Sequence, residues 1–208
     1  TYRFRLMYGG LYAVDSKSFT TEPAAQVGNA GFEEWTATQW HTTYLYEPFS
    51  GVSSHWWDVN SKVSMPDQSY STYPCFKCMP TVTYCCNTVH SGAAAAQVST
   101  INVGMWNSVL ATNGTWYVGE LFIGDADSDG NRVSTGHTFP SRPSAVTFWY
   151  QFSAYSSDDR FGVEVAVNSS DGTVLASAAV SDGPIADSWT KMTLPLEYVT
   201  DNQKAASI

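Results

Sequence analysis

The sequence predicts an all-β fold, a β-sandwich of the jelly-roll kind, on three observations. Aromatic residues make up 14% of the chain, with 8 Trp and 12 Tyr, and flat side chains suit a pleated, half-buried face. Several segments alternate apolar and polar residues with period two. The cleanest runs from Phe161 to Val167, where Phe161, Val163, Val165 and Val167 share one face. No segment sustains a helical period, and the alanines from Ala93 to Ala96 are too few to hold a helix alone.

Taken in order, Tyr2 to Tyr8 alternates as a half-buried strand and Gly9-Gly10 supplies a turn, since glycine reaches positive φ without steric cost. Leu11 to Val14 and Lys17 to Thr21 then return as the second arm of a hairpin, and Pro23 with the small residues after it reads as a linker. An isolated hairpin is marginal in water, so this one must pack on something. It resembles the last two strands of a fibronectin-type or immunoglobulin-like domain. Residues 1–25 are therefore expected to be the end of one module and 26–208 a single β domain. Within that domain, residues 36–92 hold Trp40, Tyr44, Tyr46, Phe49, Trp56 and Trp57 among Ser, Thr, Gly and Pro. So long a stretch must contain short strands or be held by its aromatics. Strands are expected over 93–103, 116–123, 145–152, 161–167, 173–177 and 189–198, with Asn168 to Gly172 closing a hairpin. Ala205 to Ile208 reads as the start of one more.

Charged residues are only 14% of the chain, with a formal net charge of -9 and a pI near 4.7. Acidity of this order argues against nucleic acid as a partner, because binding needs a basic stripe to displace counterions from phosphates. No run of about 18 apolar residues exists to span a bilayer. Thr1 to Arg5 has no apolar segment behind it and the chain lacks an initiating Met, so it reads as processed or cut from a longer one. Few lysines beside many Ser, Thr, Asn, Gly and Trp suggest an extracytoplasmic protein, secreted or at the cell surface.

At Asn29-Ala30-Gly31-Phe32-Glu33-Glu34-Trp35 the chain resembles the opening of many jelly-roll carbohydrate-binding modules. With Trp57 to Asn60, Gly119 to Gly124, Gly136 to Pro143 and Phe148 to Phe152, the ordered set is similar to the carbohydrate-metabolism domain family abbreviated PCMD, over most of residues 28–200. The resemblance implies a galactose-binding-like jelly roll associated with glycans. It also implies that Glu33 helps to hold a structural calcium ion. The family's closing strand, with its acidic pair, has no match before Ile208. The resemblance therefore implies a last strand supplied by a neighbouring domain or another chain, and an open edge beside 189–198.

Four groups of residues carry candidate chemistry. Cys75, Cys78, Cys85 and Cys86, with His90 following, have soft-ligand character suited to zinc, or else form disulfides or free thiols that staple a loop. Asp125, Asp127, Asp129 and Asn131 resemble the first half of a calcium-binding loop, although Gly136 stands where its bidentate Glu belongs. The same residues also satisfy a solvated turn. Trp40, Tyr44, Trp56, Trp57, Trp106 and Trp116 are the candidate stacking surfaces for sugar rings, while Trp35 and Trp149 are assigned to the core. Glu120 and Glu164 form the one carboxylate pair, on strands expected to be neighbours, that a glycoside hydrolase would need at about 5–9 Å. With no Gly-x-Ser-x-Gly, no His-Glu-x-x-His, and His41, His55, His90 and His137 scattered, the sequence favours a non-catalytic glycan-binding module over a structural spacer and both over a hydrolase.

Overall fold

The computed structural model describes residues 2–4, 7–8, 11–12, 17–19, 25–40, 43–49, 55–65, 79–103, 115–200 and 203–208. Every strand pairing among them is antiparallel. The N-terminal segment forms the expected hairpin in two nested steps. Strand β1 (Tyr2–Phe4) pairs with β4 (Lys17–Phe19), and β2 (Met7–Tyr8) with β3 (Leu11–Tyr12); Gly9 and Gly10, expected as the turn, lie outside the described residues. The aromatic-rich section contains the short strands it needs: β5 (Thr36–Trp40) and β6 (Thr43–Glu47) form a hairpin, and β7 (Trp57–Val59) runs into a single 3-10 turn at Ser61–Ser64. Beyond it, β8 (Val82–Cys85) pairs with β9 (Ala95–Val98), and β10 (Ile101–Val103) with β11 (Thr115–Tyr117).

Strand β12 (Leu121–Ala126) is the centre of a three-stranded sheet, flanked by β7 and by β13 (Arg132–Thr135). The long strand β14 (Ala145–Phe152) pairs with β17 (Ala186–Pro195), and β15 (Val163–Asn168) with β16 (Val174–Val180). The turn joining β15 to β16 is the expected one. Gly172 takes a φ of 83°, and the Asp171 carboxylate accepts hydrogen bonds from the Ser169 hydroxyl and the Thr173 amide. Those donors, the hydroxyl first, hold its pKa down to about 2. The result is an all-β sandwich built from small antiparallel sheets.

Two expected strands are each broken in two, at facing positions. The segment over 93–103 splits at Ser99, whose amide turns away to the Thr81 carbonyl at 2.7 Å. The segment over 116–123 splits at Val118-Gly119-Glu120. Here a Cβ on Gly119 would lie 2.7 Å from the Ser99 carbonyl oxygen and 2.9 Å from that of Thr81, so only glycine fits. Asn60 holds both breaks in place. Its Nδ2 donates to the Val118 carbonyl at 2.7 Å, and its Oδ1 accepts from the Thr81 hydroxyl at 2.7 Å and the Glu120 amide at 2.8 Å. One buried amide thus satisfies two backbone groups at the second break and reaches the first through Thr81.

The main core gathers Phe139, Val167, Leu175, Ala176, Leu196, Ala205 and Ile208, with Val27, Trp56, Ile123, Val146, Val165 and Tyr198 packed against it. The C-terminal residues are integral to it. Ser207 bridges antiparallel to Thr138 on one side and Asn168 on the other, and the backbones of Ile208 and His137 exchange two hydrogen bonds of 2.8 and 3.1 Å. The strand expected to begin at Ala205 therefore seams the β12–β13 side of the molecule to β15. On β17, whose described strand partner is β14, the strand begins at Ala186, three residues before the expected start.

The opening motif is a turn locked from several directions. Asn29 and Phe32 adopt positive φ, 47° and 54°, a region that Asn tolerates and a bulky residue avoids. The Phe32 amide bonds the Asn29 carbonyl at 2.9 Å, and Nδ2 of Asn29 reaches the carbonyls of Glu34 and Pro48, each at 2.8 Å. Trp57 donates its indole N–H to the Gly28 carbonyl at 2.8 Å, with the Phe32 ring 5.0 Å away. Trp56 lies so close over Gly28 that a Cβ there would come within 2.3 Å of the indole.

Replacing Asn60 by Ala removes the buried partner of the Thr81 hydroxyl and the part-buried partners of the Val118 carbonyl and the Glu120 amide, and is expected to cost about 2 kcal/mol. Asn60→Asp keeps the acceptor, loses the donor and buries a charge, so it is expected to be no milder. Urea denaturation of both variants checks this, and wild-type stability in either would contradict it.

Candidate functional site

The β5–β6 hairpin presents two chemically different faces because strand side chains alternate. On one face stand Trp35, Ala37 and Gln39 from the β5 side and Tyr44 and Tyr46 from β6, with Tyr46 opposite Ala37 and Tyr44 opposite Gln39. Tyr84 of β8 completes the group, its ring 4.7 Å from Tyr46 and 6.2 Å from Trp35. Its cross-strand neighbour is the small Ala96. Tyr44 is 52% and Tyr84 37% exposed, while Tyr46 and Trp35 are half-buried at their base. The rings tilt 58° and 48° to one another, so they form a ridged surface rather than a flat plate.

The opposite face turns inward. Leu45, between the two tyrosines, is buried, and Glu47 beyond it lines a cleft of about 150 Å³ with Phe49, His55, Asp58, Lys62 and Asp127. Val59 and Leu45 are its buried apolar lining. Asp58 accepts from the amides of Val59 and Ala126, at 2.8 and 2.7 Å, and lies 3.5 Å from Nε2 of His55, which stacks on Phe49 at 4.3 Å. Lys62 sits 5.6 Å above the Trp40 ring, whose indole N–H bonds the Met65 carbonyl at 3.1 Å. Burial raises the pKa of Glu47 above the ordinary glutamate value. The Lys62 charge opposes that rise, Asp58 adds to it, and His55 and a hydrogen bond with Thr38 oppose it further.

Of the expected stacking residues, only Tyr44 falls on the aromatic face, and Trp40 lies beside the cleft. Trp56 is half-buried against the main core and stacked on His137 at 3.9 Å, and Trp57 is held by Gly28 and Phe32, so both serve the opening turn and the core. Trp116 is 55% exposed, but its ring neighbour is Tyr155, at 6.0 Å. Trp106 lies outside the described residues. The two core assignments need correction. Trp149 is 44% exposed on β14, stacked on His90 at 4.0 Å, and Trp35 is half-buried as part of the aromatic face. Trp149 falls on the outward register of β14, and Trp35 directly precedes β5 on the side of Ala37 and Gln39. Tyr46, Tyr84, Glu47, His55 and Lys62 were missed by sequence reasoning. The alternation Tyr44-Leu45-Tyr46-Glu47 was a legible signal for the first, whereas the others join the site from separate segments.

Three of the carboxylates proposed for calcium accept hydrogen bonds from nearby protein groups. Asp127 accepts from the amides of Asp129 and Asn131, each at 2.9 Å, and those bonds, Asn131 first, lower its pKa. Asp125 accepts from the Ser134 hydroxyl at 2.7 Å, and Glu33 from the Ala93 amide at 2.9 Å. Among the described residues no group of three or more His, Cys, Asp or Glu is placed to hold a metal ion. Cys85 and Cys86 carry free thiols, and Cys75 and Cys78 lie outside the described residues. Glu120 and Glu164 are not on neighbouring strands. Glu120 precedes β12, near Arg132 at 4.0 Å, while Glu164 sits opposite Ala179 in the β15–β16 pair. No helix among the described residues is long and apolar enough to cross a membrane.

The fold and this hairpin define an antiparallel β-sandwich with an aromatic outer sheet face and a polar cleft behind it. Comparison with family models, curated proteins and solved structures found no match.

Because Glu47 binds its proton more tightly when folded, the native chain holds more protons than the unfolded one just above the ordinary glutamate pKa. Its stabilising contribution is complete at lower pH and is lost as pH rises through the folded value. The stability of Glu47→Gln relative to wild type is therefore expected to increase between about pH 4 and about pH 7. Paired urea titrations across that range check the sign, and a difference that falls with pH would refute it.

Proposed function

We propose that this chain is a non-catalytic glycan-binding module of a secreted or cell-surface protein, and that it holds a polysaccharide on the aromatic face of the β5–β6 hairpin. The observation that carries the reading is the group Tyr44, Tyr46, Tyr84 and Trp35, gathered on one sheet face with its outer rings open to solvent. A soluble monomer does not need tyrosines on the outer side of a strand whose inner side already buries Leu45. Aromatic rings half in water suit ligands that are apolar on one side and polar on the other. Sugar rings have apolar C–H faces with hydroxyls at the rim. Same-face neighbours on a strand are roughly 7 Å apart, so Tyr44 and Tyr46 can meet successive parts of one chain. The tilt between the rings favours a single flexible polysaccharide over a flat crystalline one.

The resemblance of residues 29–35 to the opening of jelly-roll carbohydrate-binding modules agrees with this reading, as do the acidity and the low charge content. On the same grounds we assign the domain to a PCMD-like jelly roll, with any calcium at Glu33 or the 125–131 loop serving structure and not binding.

Affinity electrophoresis against soluble glucans, xylans, mannans and galactans tests the reading directly. At least one polysaccharide is expected to retard the chain. Tyr44→Ala and Tyr84→Ala should each weaken binding about fivefold, corresponding to about 1 kcal/mol per ring, while Trp116→Ala leaves it unchanged. Retardation by none of these polymers, or retardation that survives both tyrosine changes, would remove the hairpin face as the site.

A further inference from the structure

We propose that the cleft on the inner side of the β5–β6 hairpin is a second binding site, which takes a single neutral pyranose ring between Glu47, Phe49, His55 and Lys62. Its volume of about 150 Å³ is several times that of one water, and an apolar cavity of similar size accepts a benzene-sized ring. The lining here is not purely apolar. Leu45, Val59 and Phe49 offer carbon surface, while Glu47, Asp58 and Asp127 face acidic against Lys62 and His55. Such a mixture matches a ligand with an apolar face and several hydroxyls, each able to donate and accept.

The charges narrow the class further. Three carboxylates against one lysine leave the cleft net negative, which repels an anionic sugar. A neutral ring escapes that cost. The protein also leaves specific groups for it. Asp58 is already engaged by two backbone amides and Asp127 by its own loop, so these shape the wall. Glu47 on β6 and Lys62 on the 3-10 turn, both half-buried, keep hydrogen-bonding capacity for hydroxyls beyond the Thr38 bond and the Trp40 contact they already make. The site is independent of the outer face, because Glu47 and Leu45 point to the opposite side of β6 from Tyr44 and Tyr46.

Saturation-transfer NMR and calorimetry of the whole chain with the methyl glycosides of glucose, galactose, mannose and xylose test this, with glucuronate as the charged control. At least one neutral glycoside is expected to bind with Kd of about 1 mM. Glu47→Gln and Lys62→Met, near-isosteric changes whose folding is verified by circular dichroism, should each weaken it about tenfold. Tyr44→Ala should leave it unaltered, and glucuronate should not compete. Absence of binding by all four glycosides overturns the proposal, as does binding that Tyr44→Ala abolishes while Glu47→Gln and Lys62→Met leave it intact. Monosaccharide binding without polysaccharide retardation would keep this site and remove the outer one.

Discussion

Asn60 is the residue on which the arrangement of strands depends. A β-sandwich made from many short strands has many ladder ends, and each end leaves backbone donors and acceptors that burial makes costly. Here the breaks at Ser99 and at Val118-Gly119-Glu120 face one another; a single buried carboxamide links the second to Thr81, whose carbonyl takes the Ser99 amide of the first. Its own backbone joins in, the amide donating to the Glu120 carbonyl at 3.2 Å and the carbonyl accepting from Val63 at 3.1 Å in the 3-10 turn. In that turn Ser61 exchanges hydrogen bonds with both backbone groups of Val82, and the Ser64 hydroxyl donates to Met79. A polar nucleus thus ties β7, β8 and β12 together, and β7 and β12 each give residues to the cleft wall.

The aromatic content is divided between three tasks. Trp56 and Trp57 clamp the opening turn and close the main core. Trp35, Tyr46 and Tyr84 support an open sheet face. Three histidines lie flat on aromatic rings, His55 on Phe49, His90 on Trp149 and His137 on Trp56, at 4.3, 4.0 and 3.9 Å. The first and third join residues just outside strands to one another, and the second pins a loop residue to a strand. His90 carries the 86–94 loop across to β14, while Glu33 holds the same loop through the Ala93 amide. The loop lies so close to Glu33 that a Cβ on Gly92, at a φ of 74°, would meet its carboxylate.

The hairpin at the centre of the functional reading follows from the same alternation that makes it a hairpin. Period two in Tyr44-Leu45-Tyr46-Glu47 puts both tyrosines on one side and sends leucine and glutamate to the other. One short strand therefore contributes to two surfaces of different chemistry, one aromatic and open, the other polar and recessed.

Much of the fold was legible in the sequence because it is local. Period two, paired with Gly and Asn turn residues, determined the all-β class and the β15–β16 hairpin, and a run of β-branched and aromatic residues marked the extent of β14. The N-terminal hairpin was legible for the same reason. Where strands stop was not, since Gly119 is a break only because the Ser99 and Thr81 carbonyls approach it, and those lie about 20 and 40 residues away. Burial of individual aromatics was equally beyond a local pattern. Trp149 and Trp56 have similar neighbours in sequence, yet register turns one outward and packing closes over the other. The candidate site was half legible. Tyr44 could be read from its strand, whereas Tyr84, His55, Lys62 and Asp127 come together through pairings between segments, which only the tertiary structure decides.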